Sequence, residues 1–90
     1  MIITATPKET EAVKAIQFLG KQNIDEVSNF LNSHNISTSP SIDDSIIYPY
    51  YEDEKFPSDI IRINDWVVVK ANHSYEIMSD IKFKHFYAIQ

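Results

Sequence analysis

The sequence predicts an α+β fold: a mostly antiparallel sheet of four to five strands with two helices, in the order β-α-β-β-β-β-α. Three observations predict it. Between residues 46 and 78, segments rich in β-branched and aromatic residues follow one another with turns between them, and such runs of strands belong to α+β architectures. Only two segments, starting near residues 24 and 80, space their apolar residues at the helical period. The chain has 90 residues, and a domain of that size buries only about 60–65% of its unfolded surface. It therefore reads as a single domain, 1–90, around one core.

Taken in order, residues 1–10 (MIITATPKET) are polar after Ile3 and broken by Pro7, which reads as an extended arm or an edge strand. Glu11 to Phe18 reads as a strand, with Ala12, Ile16 and Phe18 on one side and Val13 and Ala15 on the other. Apolar residues on both faces mark a central strand. Gly20, the only glycine, ends it. Asn23 is placed to cap a helix, with Glu26 three residues on reaching back as in a capping box. Ile24, Val27, Phe30 and Leu31 form the apolar stripe of that helix. Asp25 and Glu26 suit the positive end of its dipole, and it should stop near Ser33 to Asn35.

Residues 35–45 (NISTSPSIDDS) read as a loop. Ile46 to Tyr51 has strong β-formers, but Pro49 lacks an amide hydrogen, which confines the segment to an edge strand or a bulge. Residues 52–58 read as an acidic, proline-containing loop, and Asp59 to Ile63 as a short strand. Asn64 and Asp65 turn the chain into Trp66 to Ala71, the strongest strand in the sequence. Asn72-His73 reads as a two-residue hairpin turn leading to a return strand, Ser74 to Met78. Ser79 caps a final helix that runs to about Tyr87, with Phe83, Phe86 and Tyr87 on one stripe. Both helices are expected to cover one face of the sheet.

The net charge of −5 is concentrated. Residues 43–59 carry six acids (Asp43, Asp44, Glu52, Asp53, Glu54, Asp59) against Lys55 alone, whereas 1–42 is net −1 and 60–90 net +1. Nucleic-acid binding needs cations to displace counterions from phosphates, and there is no basic stripe, so direct DNA or RNA binding is not expected. An acidic surface attracts a basic partner instead. Its structural alternative is a solvated loop. No apolar run approaches the ~18–20 residues of a membrane span, and residues 1–10 lack the apolar core of a signal peptide. No membrane association is expected.

Catalytic and metal signatures are not evident. There is no cysteine, hence no disulfide and no thiolate chemistry. His34, His73 and His85 are widely spaced, and no pair has the i, i+4 spacing of a helical metal site. The acidic pairs lack the alternating ligand pattern and the turn glycine of a calcium loop. Neither a G-x-S-x-G elbow nor a glycine-rich phosphate cradle is present. We therefore expect neither enzyme, cofactor nor metal.

The most suggestive local feature is the aromatic group Tyr48, Tyr50, Tyr51 and Phe56, interleaved with Glu52, Asp53 and Glu54. Tyrosine is enriched at binding surfaces because it offers a large contact area at low entropy cost. With Asp43 and Asp44, these are the candidate partner-binding residues. Against this stands the reading that Tyr48 and Tyr50, or Ile47 and Tyr51, only cover the sheet. Trp66, Phe83, Phe86 and Tyr87 read as core.

Two stretches carry a resemblance. Val13 to Leu31 reads V-K-A-I-Q-F-L-G…I-D-E-V…F-L, and residues 64–87 read N-D-W-V-V-V-K…Y-E-I-M-S…F-K-H-F-Y. Both resemble a widespread group of small tailed-phage and prophage proteins of unknown function. Those begin with a V-x-A-x-Q-[WF] strand and an L-x-E-V-x-x-F-L helix. They close with G-D-W-[IV]-[IV], a hairpin, and a short helix ending in F-x-x-x-[YF]. The likeness covers about half the chain. It departs where Asn64 replaces a glycine and where Asn72-His73-Ser74 replaces the hairpin glycine; residues 36–59 match nothing in the pattern. The resemblance implies a phage origin, a strand-helix-sheet-helix order and location in the host bacterial cytoplasm. It implies no activity, and leaves the divergent acidic, tyrosine-rich segment 36–59 to carry whatever is specific to this protein.

Three functional expectations follow. The first is a phage accessory protein that binds and inhibits a host protein, foremost an antiviral-defence component, in the manner of an anti-CRISPR or anti-restriction inhibitor; a basic nucleic-acid-binding protein is one such target. The second is a small oligomeric sponge for a nucleotide immune signal, with Arg62, Lys70, Lys82 and Lys84 as phosphate contacts. The third is a structural phage protein. A homodimer paired through an exposed Ile46–Tyr51 edge is a further expectation.

Overall fold

A computed structural model describes residues 2–7, 13–52 and 59–89. Along the chain the elements are β1 (Ile2–Pro7), β2 (Val13–Gln17), a 3-10 turn (Gly20–Gln22), α1 (Ile24–Asn32), β3 (Ser37–Pro40) and β4 (Ile46–Tyr50). Then come β5 (Ile61–Arg62), β6 (Trp66–Val69), β7 (Tyr75–Met78), α2 (Asp80–Phe86) and β8 (Tyr87–Ile89). The class is α+β, as expected, and every strand pair is antiparallel. The strands form two sheets rather than one: a five-stranded sheet in the order β7-β6-β2-β1-β8 and a three-stranded sheet β3-β4-β5.

The large sheet is built on β2 and β6, and its two faces follow from strand parity. Ile16, Phe18, Val67 and Val69 face one way and pack with Val27, Phe30 and Leu31 of α1 and with Ile36, Ile47 and Ile61 of the small-sheet region. Ala15, Trp66, Val68 and Met78 face the other way and pack with Phe83 of α2. The helices thus lie on opposite faces, not on one. The four apolar residues Trp66–Val69 are all buried, and a strand apolar on both sides requires cover on both sides.

Residues 19–63 are one excursion between adjacent strands. It opens and closes at a β-bulge that sets Asn64 and Asp65 opposite Phe18: the Phe18 amide donates to the Asp65 carbonyl (2.9 Å) and the Asn64 amide, at φ 79°, to the Phe18 carbonyl (2.7 Å). Gly20 starts the excursion at φ 74°, where a Cβ would meet the Ile63 Cδ1 at 3.2 Å. The Ile63 side chain is exposed and can yield, so the backbone sets the cost. Gly20→Ala is expected to lower stability by about 1–2 kcal/mol, the left-handed penalty of an L-residue. A urea midpoint equal to wild type would show that the turn relaxes instead.

At the start of α1, Asn23 makes no side-chain cap. Its amide reaches backwards, accepting from the Leu19 N–H (2.7 Å) and donating to the Gln17 carbonyl (2.7 Å), so it ties the helix entry to the end of β2. The helix ends where expected. The Asn35 amide bonds the Asn32 carbonyl, the Ile36 amide bonds the Leu31 carbonyl, and Asn35 sits at φ 64°. This is a Schellman closure, sealed by the buried Leu31–Ile36 pair.

Residues 37–40 form a strand, where a loop is expected from their serine, threonine and proline. β4 is the middle strand of the small sheet, not an edge. Pro49 is tolerated because of its phase. The Ile46 carbonyl accepts from the Ser41 amide, so alternation turns the backbone of Ile47 and Pro49 toward β5. The β5 ladder ends at Ile47, and among the described residues no strand needs a hydrogen from Pro49. Along Ile46–Tyr51, the edge offered for homodimer pairing, β3 occupies one side, while on the other β5 covers only Ile46 and Ile47.

The β6–β7 hairpin is one residue longer than expected. The Lys70 amide bonds the Ser74 carbonyl, the His73 amide bonds the Lys70 carbonyl, and His73 takes φ 65°. That is a three-residue loop with a left-handed last position, where glycine is favoured. Ser79 caps α2 as expected, accepting from the Lys82 amide. The helix stops at Phe86, whose side chain is 50% exposed rather than core, and Tyr87 begins β8 beside β1.

Candidate functional site

The small sheet turns one face inward and one outward. Ile47 and Pro49 are fully buried, while Ile46, Tyr48 and Tyr50 alternate with them and are half-buried. Directly opposed residues share a face. The register sets Ser39 against Tyr48, Ser37 against Tyr50 and Arg62 against Ile46. The outer face is therefore a strip of two tyrosines, two serines, an isoleucine and an arginine. Tyr51 does not belong to it. It packs against the inner core and lies 5.6 Å from Tyr75, ring to ring, while its hydroxyl donates to the His73 carbonyl (3.2 Å).

The acids sit at the two ends of this strip. Asp43 and Asp44 occupy the β3–β4 turn, and Glu52 follows β4 and is exposed. Asp53, Glu54 and Phe56 lie outside the described residues. Asp43 has a structural task, since one of its oxygens accepts from the Ser41 hydroxyl (2.9 Å), the Ser45 hydroxyl (2.7 Å) and the Ser45 amide (3.2 Å). These bonds, the Ser45 hydroxyl foremost, pull its carboxyl down to about 2. A carboxyl whose folded pKa lies below its unfolded value stabilises the fold above the unfolded pKa, and that contribution disappears as pH falls toward the folded one. Asp43→Ala is thus expected to flatten the loss of stability between pH 4 and pH 2 in acid titrations followed by circular dichroism. An unchanged acid limb would show that Asp43 contributes nothing through its charge.

The four cations do not share one element. Arg62 is on the outer strip, Lys70 enters the β6–β7 loop, and Lys82 and Lys84 are on α2 across the large sheet. Lys84 pairs with Asp80 at 3.0 Å. Asp80 also accepts from the Trp66 indole (2.8 Å), which together with Lys84 holds its carboxyl below the usual range.

A groove of about 420 Å³ borders the strip, lined by Asn32, Asn35, Ile36, Ser37 and Glu52. Beside it the fold assembles a cluster that sequence reasoning misses. His34, at the closure of α1, places its Nδ1 3.2 Å from the Nδ1 of His73, with the rings 5.4 Å apart. Phe30 and His34 meet edge to face, with ring centroids 5.1 Å apart. Partial burial, and then His73, hold His34 below its ordinary pKa. The signal was His73 itself, a bulky residue in a hairpin where glycine is usual.

Among the described residues no group of three or more histidine, cysteine or acidic side chains is placed to hold a metal ion. No helix among them is long and apolar enough to cross a membrane. Compared with known protein families, curated proteins and solved structures, the chain matches none.

Proposed function

We propose that this protein is a non-enzymatic binding protein that docks a basic protein surface on the outer strip of its small sheet. One observation carries the reading: Tyr48 and Tyr50 stand side by side facing away from the core, with Asp43, Asp44 and Glu52 at the strip's ends. Aromatic anchors within a polar rim are the anatomy of a protein interface. The rim's negative charge favours a basic partner and speeds its association. Taken with the resemblance to small phage proteins, the reading becomes a host protein that handles nucleic acid, held inhibited by an acidic mimic.

The test is native mass spectrometry of tagged protein recovered from phage-infected bacteria, wild type against Tyr48→Ser/Tyr50→Ser. The two tyrosines do not support the core, so the variant is expected to fold. Wild type should carry a basic host protein at 1:1, and the variant should lose it at least ~10-fold, the effect of one interface anchor worth ~1.4 kcal/mol. A complex indifferent to both substitutions would overturn the reading. So would a homo-oligomer carrying a few hundred daltons of extra mass, which would favour a nucleotide sponge.

A further inference from the structure

The geometry points to His34 and His73 as a two-histidine site for a divalent transition ion of the zinc class, a role distinct from the docking strip. The two Nδ1 atoms are 3.2 Å apart. An ion at the usual zinc–imidazole distance of about 2.0–2.1 Å from each subtends an angle of about 99–106° between them, close to tetrahedral. Imidazole is a preferred ligand of Zn²⁺, Cu²⁺ and Ni²⁺.

Both ligands are held from outside the pair. His34 is fixed by the Schellman closure of α1 and by the ring of Phe30. The backbone of His73 is fixed by the hairpin and by the Tyr51 hydroxyl on its carbonyl.

His73 also adopts φ 65°. Glycine takes that conformation without strain, and histidine only at some cost. A glycine would make the same loop at lower cost and would supply no imidazole.

Without an ion, one ring donates its Nδ1 hydrogen to the other. Binding moves that hydrogen to Nε2 of the same ring, a change of tautomer with no change of charge. Two protein nitrogens leave further coordination positions to water or to a donor from a bound partner.

The experiment is a ZnCl₂ titration by calorimetry, with histidine side-chain ¹⁵N spectra. The variants are His34→Gln and His73→Gly, and His85→Gln on α2 is the control. Zinc should move the Nδ1 resonances of His34 and His73 and leave His85 in place. Losing a supporting neighbour of a ligand already weakens metal affinity 10–100-fold, so either ligand variant should bind at least ~10-fold more weakly. His73→Gly should do so while melting no lower than wild type, which separates the site from the fold. Should His73→Gly fail to fold, His34→Gln alone decides. Binding that persists unchanged in His34→Gln, or Nδ1 resonances unmoved at millimolar zinc, would leave the pair as a hydrogen bond only and overturn the assignment.

Discussion

Trp66→Ala is expected to cost about 3–5 kcal/mol, the range for removing a large buried aromatic side chain. The indole is 6% exposed and lies flat on Phe83, with ring centroids 4.0 Å apart and planes inclined by 6°. Tyr87 extends the stack at 5.2 Å from Phe83. Removing the indole therefore opens a cavity between sheet and helix and also frees the Asp80 carboxylate from its nitrogen (2.8 Å). Ordinary domains are stable by roughly 0.05–0.15 kcal/mol per residue, or about 5–13 kcal/mol for a chain of this length. The substitution should thus remove a large fraction of the total. Trp66→Phe keeps the stack and loses only the N–H, so its cost should be smaller. Urea unfolding followed by circular dichroism measures both. A loss below about 1 kcal/mol for the alanine variant would mean that α2 collapses onto the sheet and fills the space.

On the other face, Leu31→Ala should cost about 2–5 kcal/mol. Leu31 is fully buried among α1, β2, β6 and the small sheet, and it also closes the helix against Ile36. Its more informative consequence concerns cooperativity. Trp66 is the only tryptophan and belongs to the opposite core. The two cores share the strands β2 and β6, so a defect in one should loosen the other. Trp66 fluorescence and backbone dichroism are expected to report the same lowered midpoint, as in a two-state transition. Separated midpoints would show that the small-sheet side melts alone.

What could be read from the sequence is what is decided locally. The α1 stripe, the Ser79 cap, the Trp66–Val69 strand and the Trp66 anchor each depend on spacings within a few residues. β3 was hidden because Ser37–Pro40 has no strand composition and is held by pairing to β4. The phase of Pro49 was hidden for a related reason, since it depends on where β5 stops. The placement of the helices was partly legible. An apolar run at 66–69 demands cover on both faces, but which helix covers which face is set by the chain's path between the strands. The same argument places Tyr48 and Tyr50 outward once Ile47 is inward, but sequence alone leaves open which set faces the core. The His34–His73 contact joins residues 39 apart through a hairpin and a helix end; the odd residue at 73 was visible in the sequence, but its partner was not.

The pairing of β1 with β8 bears on how the chain folds as it is made. Ala5 sits opposite Ile89, 84 positions later. At the usual synthesis rate of about 5–20 residues per second, β1 precedes its outer neighbour by roughly 4–17 s. During that interval β1 pairs with β2 on one side and offers unsatisfied amides and carbonyls on the other, the kind of open edge that recruits foreign strands. Contacts this distant in sequence also slow folding, because a long loop must close before they form. The three residues of β8 thus close the outer edge of β1, and until they pair, that edge stays open to foreign strands.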